Sequence, residues 1–223
     1  MRRLIVSTFV SLDGVMQAPG GPAEDPTGGF TLGGWTFPYW DEQSGAAIAR
    51  TGLDSRGRDL LLGRKTYEIF AAHWPHQPAG DPVAQSLNGT KKHVATRTLT
   101  SLAWNNSSRL DGDAGTAVAA LKKTAGPDLQ VIGSGALIQT LLKAALVDEF
   151  NLLVFPVVLG RGKRLFETGA PSQALRLIRS ESFATGMILS TYEPAGAVRT
   201  GSFVPDNPGA DEMARREKMK REG

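Results

Sequence analysis

Short apolar runs alternate along this chain with stretches whose apolar residues recur at helical spacing. RRLIVSTFV, DLLLG, KHVATR, DLQVIG and EFNLLVFPVVLG read as strands. DEQSGAAIARTGL, TYEIFAAHW, AGTAVAALKKTAG and GALIQTLLKAALV read as helices, with Leu137, Leu141, Leu142 and Ala145 on one stripe of the last. Strands alternating with helices of this length specify βαβ units and a mostly parallel sheet. Near the end, ALRLIRSESF and MILSTYE are separated only by Ala184, Thr185 and Gly186, a spacing that predicts a hairpin. The chain therefore reads as α/β, a parallel sheet closed by antiparallel strands.

Composition narrows the class. At 223 residues, with 41% hydrophobic and 21% charged residues, the chain is long enough to bury a core and is ordinary for a globular protein. The absence of cysteine excludes disulfides and thiolate metal sites. The opening MRRLIVSTFVSLDG carries Asp13 where a secretory signal needs small neutral residues, and it reads as a first strand. No apolar run approaches the roughly 20 residues of a membrane span, so a cytoplasmic protein is expected. The pI is near 9.3, but net charge is only +3, and in the most basic segment, ARREKMKREG, acidic residues are interspersed. That pattern predicts a solvated tail rather than a nucleic-acid stripe. His73 and His76 lack the further ligands of a metal site, so no metal is expected.

Two stretches break the alternation. Residues 14 to 40 are rich in glycine and proline and then carry Phe30, Trp35, Phe37, Tyr39 and Trp40. A loop this long in a compact domain is functional or disordered, and its aromatics argue against pure disorder. Two readings follow: a lid over a flat aromatic ligand, or a loop pinned to the core. The second stretch, residues 195 to 223, carries Gly, Pro and then charge, and reads as peripheral or disordered.

Three strand ends carry the chemistry. In DLLLGRKTYEIF an apolar strand ends at Gly63, and Arg64, Lys65 and Thr66 open a helix. Cations are unfavourable at a helix N-terminus unless an anion sits between them and the amides. In QVIGSGALIQTLL, Gly133, Ser134, Gly135 and Ala136 stand at a second strand-to-helix turn, where glycines admit close approach of a phosphate. This is neither the G-x-S-x-G elbow nor the full G-x-G-x-x-G fingerprint, because Ile132 and Ile138 fill the outer glycine positions. The third end, HVATRTL, offers Thr96 and Arg97, and arginine suits a 2′-phosphate where an acidic residue suits free ribose hydroxyls. Two phosphate turns on one sheet edge, with these arginines, favour NADP(H) over NAD(H). The basic turn Arg161 to Arg164, where Gly160 and Gly162 permit close approach, reads as meeting the cofactor or the substrate loop, the alternative being an ordinary solvated turn.

These residues resemble a known family. Strand–GRKTYE, strand–TR, VIGSG–helix and a closing hairpin look like the dihydrofolate reductase fold. The segments STFVSLDG, FPYWDE and FPVVLGRGKRLFE are similar to those of the reductase domain of bacterial riboflavin biosynthesis and its stand-alone relatives. The resemblance covers residues 1–194, leaving 195–223 as a tail, and implies a three-layer α/β/α sandwich. It implies an NADPH-dependent reductase of a small heterocycle, pterin-like or ribosylaminopyrimidinone-like, and self-association as a homodimer. Gly63, Arg64, Lys65 and Thr66 would hold phosphates, Thr96 and Arg97 the adenosine end, and Gly133 to Ala136 the pyrophosphate and nicotinamide. Asp13 and Asp41 are the carboxyl candidates for proton delivery, and Trp35, Phe37, Tyr39 and Trp40 the candidates for covering the substrate ring. The rival from another class is a non-catalytic module binding NADP(H) or another phosphate ligand.

Overall fold

In a computed structural model that describes residues 1–51, 55–203 and 207–222, with side chains of 47–51 left aside, the chain builds one eight-stranded sheet. The strands are β1 (Leu4–Ser11), β2 (Arg58–Gly63), β3 (Lys92–Ala95), β4 (Ser107–Leu110), β5 (Asp128–Ile132), β6 (Glu149–Phe155), β7 (Leu175–Ser182) and β8 (Ile188–Pro194). The helices are α1 (Glu42–Thr51), α2 (Arg64–His73), α3 (Pro82–Gly89), α4 (Ala114–Lys122), α5 (Gly135–Lys143) and α6 (Ala210–Glu222). Spatial order is β4-β3-β2-β5-β1-β6-β8-β7. The first six are parallel neighbours, whereas β6–β8 and β8–β7 pair antiparallel.

Helices on both faces bury the central strands twice, which is why these strands read as continuous apolar runs. On β1, Leu4 and Val6 pack with Leu129 and Val131 of β5 under Leu137, Ile138 and Leu141 of α5. On the opposite face, Leu60 and Leu62 of β2 pack with Tyr67 of α2, Leu87 of α3 and Trp104. The sandwich is therefore three-layered and ends in antiparallel strands, as read from the sequence. The hairpin turns on Gly186, whose φ is +85°, a conformation glycine adopts without a Cβ penalty.

Several local expectations shift. The buried stripe of α5 includes Ile138, while Ala145 lies beyond the helix at φ +51°. The fifth run stops being strand at Phe155, because Pro156 cannot donate to a ladder. Of the first helical stretch, Gly52 and Leu53 lie outside the described residues. Edge strand β4, helix α3 and helix α6 add to the pattern; α6 buries none of its residues. Among the described residues no helix is long and apolar enough to cross a membrane.

Loop 14–40 is pinned. Phe30 and Trp35 are 4% and 7% exposed, and the Trp35 ring meets Phe155 edge-on at 5.5 Å. Trp35 Nε1 donates to Gln17 O at 2.8 Å, so the ring is buried with its polar atom satisfied. At the sheet's amino edge, Asp59 accepts from Arg2 at 2.5 Å and lies 3.1 Å from His93 Nε2, a buried triad joining the segment before β1 to β2 and β3.

Candidate functional site

The carboxyl ends of β3, β2, β5 and β1 lie side by side, so the turns after them form one rim. This is where open α/β sheets bind ligands. Two helices start on this rim without a cap. Gly63 is the N-cap of α2 and Ser134 that of α5; neither helix has a side-chain cap hydrogen bond or an acidic residue in its first turn. Three other helices start differently. Asp81 accepts from Val83 and Ala84 at α3, Asp113 from Thr116 at α4, and Asp41 from Ser44 at α1. The unpaired amides of α2 and α5 carry the partial positive charge that an anion satisfies.

The two bare turns touch. Gly63 N–H donates to Ser134 Oγ at 2.8 Å, and a Cβ on Gly63 would come within 3.0 Å of Ser134 Cβ. Gly133 has φ +75° and faces Thr66, while Gly135 faces Met16. The structure thus gathers Gly63, Thr66, Gly133, Ser134 and Gly135 into one cluster, with Ala136 in the first turn of α5. Gly63 differs from expectation in one respect. Its N–H is already taken by Ser134, so it supplies close approach and the donors come from the residues after it.

The cations stand around this cluster. Arg64 pairs with Glu68 at 2.9 Å across one helical turn. Lys65 Nζ lies 3.3 Å from Thr27 Oγ1, and desolvation together with neighbouring Lys163 pushes its pKa down. One strand further out, Thr96 Oγ1 accepts from the amides of Thr98 and Leu99, and Arg97 lies in the field of Asp113.

Neither candidate acid is free. Asp13 accepts from Ser11 Oγ at 2.6 Å, from Leu159 N at 3.0 Å and from Gly160 N at 2.9 Å. Those donors, led by Ser11 and opposed by desolvation, hold its carboxyl at about 2. Asp41 caps α1: Ser44 N–H donates to its Oδ1 at 2.7 Å while Asp41 N–H donates to Ser44 Oγ at 2.9 Å. This reciprocal box also lowers its pKa. Both carboxyls are ionised backbone caps rather than stored protons.

The four aromatic candidates separate. Trp35 is spent on the core, and Phe37 is 81% exposed. Tyr39 and Trp40 are half-buried against Phe155, and Trp40 meets Phe9 of β1 edge-on at 5.6 Å. Phe9 and Ile132 join them beside the Gly133 turn. The basic turn meets loop 14–40: Arg161 donates to Thr31 Oγ1 at 2.9 Å, Lys163 pairs with Asp25, and Arg164 Nε donates to Asp13 O. Beside this contact lies a pocket of about 590 Å³, lined by Gln17, Thr27, Arg161, Lys163 and Phe166 and by none of the four expected aromatics. Phe9, Met16 and Thr27 lie outside the residues the sequence marks for the site, whereas Lys163 belongs to the basic turn read as meeting the cofactor or the substrate loop. The glycine of GRG was the one local signal, since a Cβ on Gly162 would strike Val15 at 2.6 Å.

Comparison with known proteins accords with this geometry. Residues 2–189 match the family model described as the RibD C-terminal domain. The Bacillus subtilis (strain 168) protein YyaP is 28% identical over 198 residues, covering 86% of this chain and 94% of its own. YwjB of the same organism is 28% identical over 130 residues, covering 58% and 70%. A putative riboflavin biosynthesis protein from Shewanella sp. PV-4 superposes with a TM-score of 0.57 at 21% identity, covering 86% of this chain and 99% of that one. A pyrimidine reductase-like protein from Corynebacterium diphtheriae superposes with a TM-score of 0.56 at 13% identity, covering 89% and 93%. With a family match over almost the whole sheet and a rim built from its glycine turns, this chain belongs to the RibD C-terminal domain family.

Proposed function

We propose that this protein is an NADPH-dependent reductase of a small heterocycle, pterin-like or ribosylaminopyrimidinone-like. The observation that carries the reading is the pair of touching, uncapped helix N-termini on the sheet rim. The donor set fits a dinucleotide. Amides of Arg64, Lys65 and Thr66 and of Gly135 and Ala136 would receive the pyrophosphate, and no carboxylate competes in either first turn. Arg64 and Arg97 would take the 2′-phosphate, bidentate recognition being the strength of guanidinium. Bound there, the nicotinamide supplies a hydride for a C=N or C=O carbon. The chain's own part is orientation: Phe9, Tyr39, Trp40 and Ile132, half-buried against the core that holds Phe155, would offer the nicotinamide and substrate an apolar surface. With Asp13 and Asp41 committed to backbone, a held water is the proton source this reading requires.

The same commitment of both carboxylates favours one rival, a module that binds NADP(H) without turning it over. A side-by-side titration of NADPH and NADH, read by tryptophan quenching and repeated with Arg64→Ala, tests the reading. Micromolar NADPH binding, weaker NADH binding and loss of that preference in the variant are expected. Binding of neither dinucleotide removes the reductase proposal. Binding with no oxidation by any pterin or aminopyrimidinone substrate leaves the module.

A further inference from the structure

The pocket of about 590 Å³ beside loop 14–40 takes none of its lining from the two uncapped turns. Its cations are not all matched. Lys163 pairs with Asp25, and Arg164 with Asp13 at 3.5 Å. Arg161, on the lining, donates to the neutral Thr31 hydroxyl, and Lys65, beside the pocket, to that of Thr27. Among the described residues neither has a carboxylate at ion-pair distance; Glu167, exposed on the lining, pairs with neither. The two lysines are also crowded. Lys65 and Lys163 both donate to Thr27 Oγ1, at 3.3 and 2.8 Å, so ammonium groups from α2 and from the basic turn converge on one hydroxyl. Like charges brought together disfavour each other's charged form, which after desolvation is a further cause of the lowered pKa of Lys65. An anion at this point relieves that repulsion and occupies the Arg161 guanidinium.

We propose that this pocket is a second anion site, separate from the dinucleotide rim, for a phosphate dianion held by Arg161, Lys163 and Lys65. Two cations without a carboxylate match two negative charges, and the guanidinium fork suits phosphate oxygens. The pocket is larger than bare phosphate requires, and the half-exposed ring of Phe166 lines it, so a phosphate monoester fits with its organic part on that ring. The cations come from α2 and from the turn after β6, with Thr27 between them, so a bound phosphate ties loop 14–40 to both. No dinucleotide is needed for this site.

Calorimetric titration at constant ionic strength, with inorganic phosphate, phenyl phosphate and benzoate as the monoanion control, compares wild type with Arg161→Ala and Glu167→Gln. Each titration is repeated with NADPH in excess, and thermal melts check that the variants, both at exposed side chains, are folded. Wild type should bind phenyl phosphate with NADPH present as without it. Arg161→Ala should weaken that binding about tenfold, the worth of one charge-assisted hydrogen bond. Glu167→Gln should tighten it, because a competing carboxylate is gone. Phenyl phosphate binding more tightly than inorganic phosphate supports an ester as the ligand, and equal affinity supports the free ion. Absence of phosphate binding to wild type, unchanged affinity in Arg161→Ala, or benzoate binding as tightly as phenyl phosphate overturns the proposal. Displacement of phosphate by NADPH also overturns it, by placing the anion on the rim. Phosphate binding that depends on Arg161 in a protein that binds no NADPH supports this site while removing the reductase reading.

Discussion

Replacing Asp13 tests whether a carboxylate at the end of β1 is chemistry or architecture. In the structure it closes a contact 146 residues long in sequence, drawing Leu159 and Gly160 amides to the turn after β1, with Ser11 and Arg164 alongside. Holding the carboxyl at about 2 rather than at 3.8 is worth at most about 2.4 kcal/mol. The side chain is 19% exposed at the rim, and solvent screening leaves about 1–2 kcal/mol of that. The sign follows from linkage: the folded carboxyl is the stronger acid, so this stability is complete above pH 3.8. It is lost as pH falls from there to about 2. Asp13→Asn presents an amide N–H₂ toward donors and should cost about 1–2 kcal/mol in urea unfolding at pH 7. Measured again at pH 3, the gap between wild type and variant should narrow. NADPH binding, measured on the folded variant, should persist. Equal stability of the two proteins at pH 7 would refute the capping argument, and loss of turnover with stability intact would return Asp13 to the list of acids.

Other parts of the molecule make separate predictions. Asp41→Asn should keep NADPH binding and any turnover, with a modest fall in melting temperature; abolished turnover in a well-folded variant would contradict the cap assignment. Trp35→Ala should cost about 3–5 kcal/mol, the loss typical of a buried aromatic, and chemical denaturation reads it directly. Lys92 is fully buried, donates to Asn88 O and Asn105 O at 3.0 Å and lies 4.0 Å from the Trp104 ring centre, and burial lowers its pKa to about 8. Its folded pKa lies below the unfolded 10.5, so stability should rise between pH 8 and 10.5, and Lys92→Met should flatten that rise. Burial likewise lowers the pKa of His93, against the pull of Asp59. Melts should therefore show stability falling as pH drops below about 6.5, an effect absent in His93→Gln.

How much of this was legible beforehand depended on how local the cause was. The βαβ order, the hairpin and the glycine-ended strands follow from periodicity and turn residues within a dozen positions, and the sheet stands as read. Strand β4 escaped because SSRL is short, polar and on an edge; α6 escaped because a helix that buries nothing leaves no apolar stripe. The two uncapped turns were visible as GRKT and GSGA, since a helix N-terminus after glycine is a local pattern. Their contact was not, because Ser134 meets Gly63 only when β2 and β5 pair. Asp13 and Trp35 carry the same lesson. A carboxylate or an indole reads alike in sequence whether it faces a ligand or its own backbone. Only the folded chain, by bringing Leu159 to Asp13 and Phe155 to Trp35, decides which partner desolvates it first.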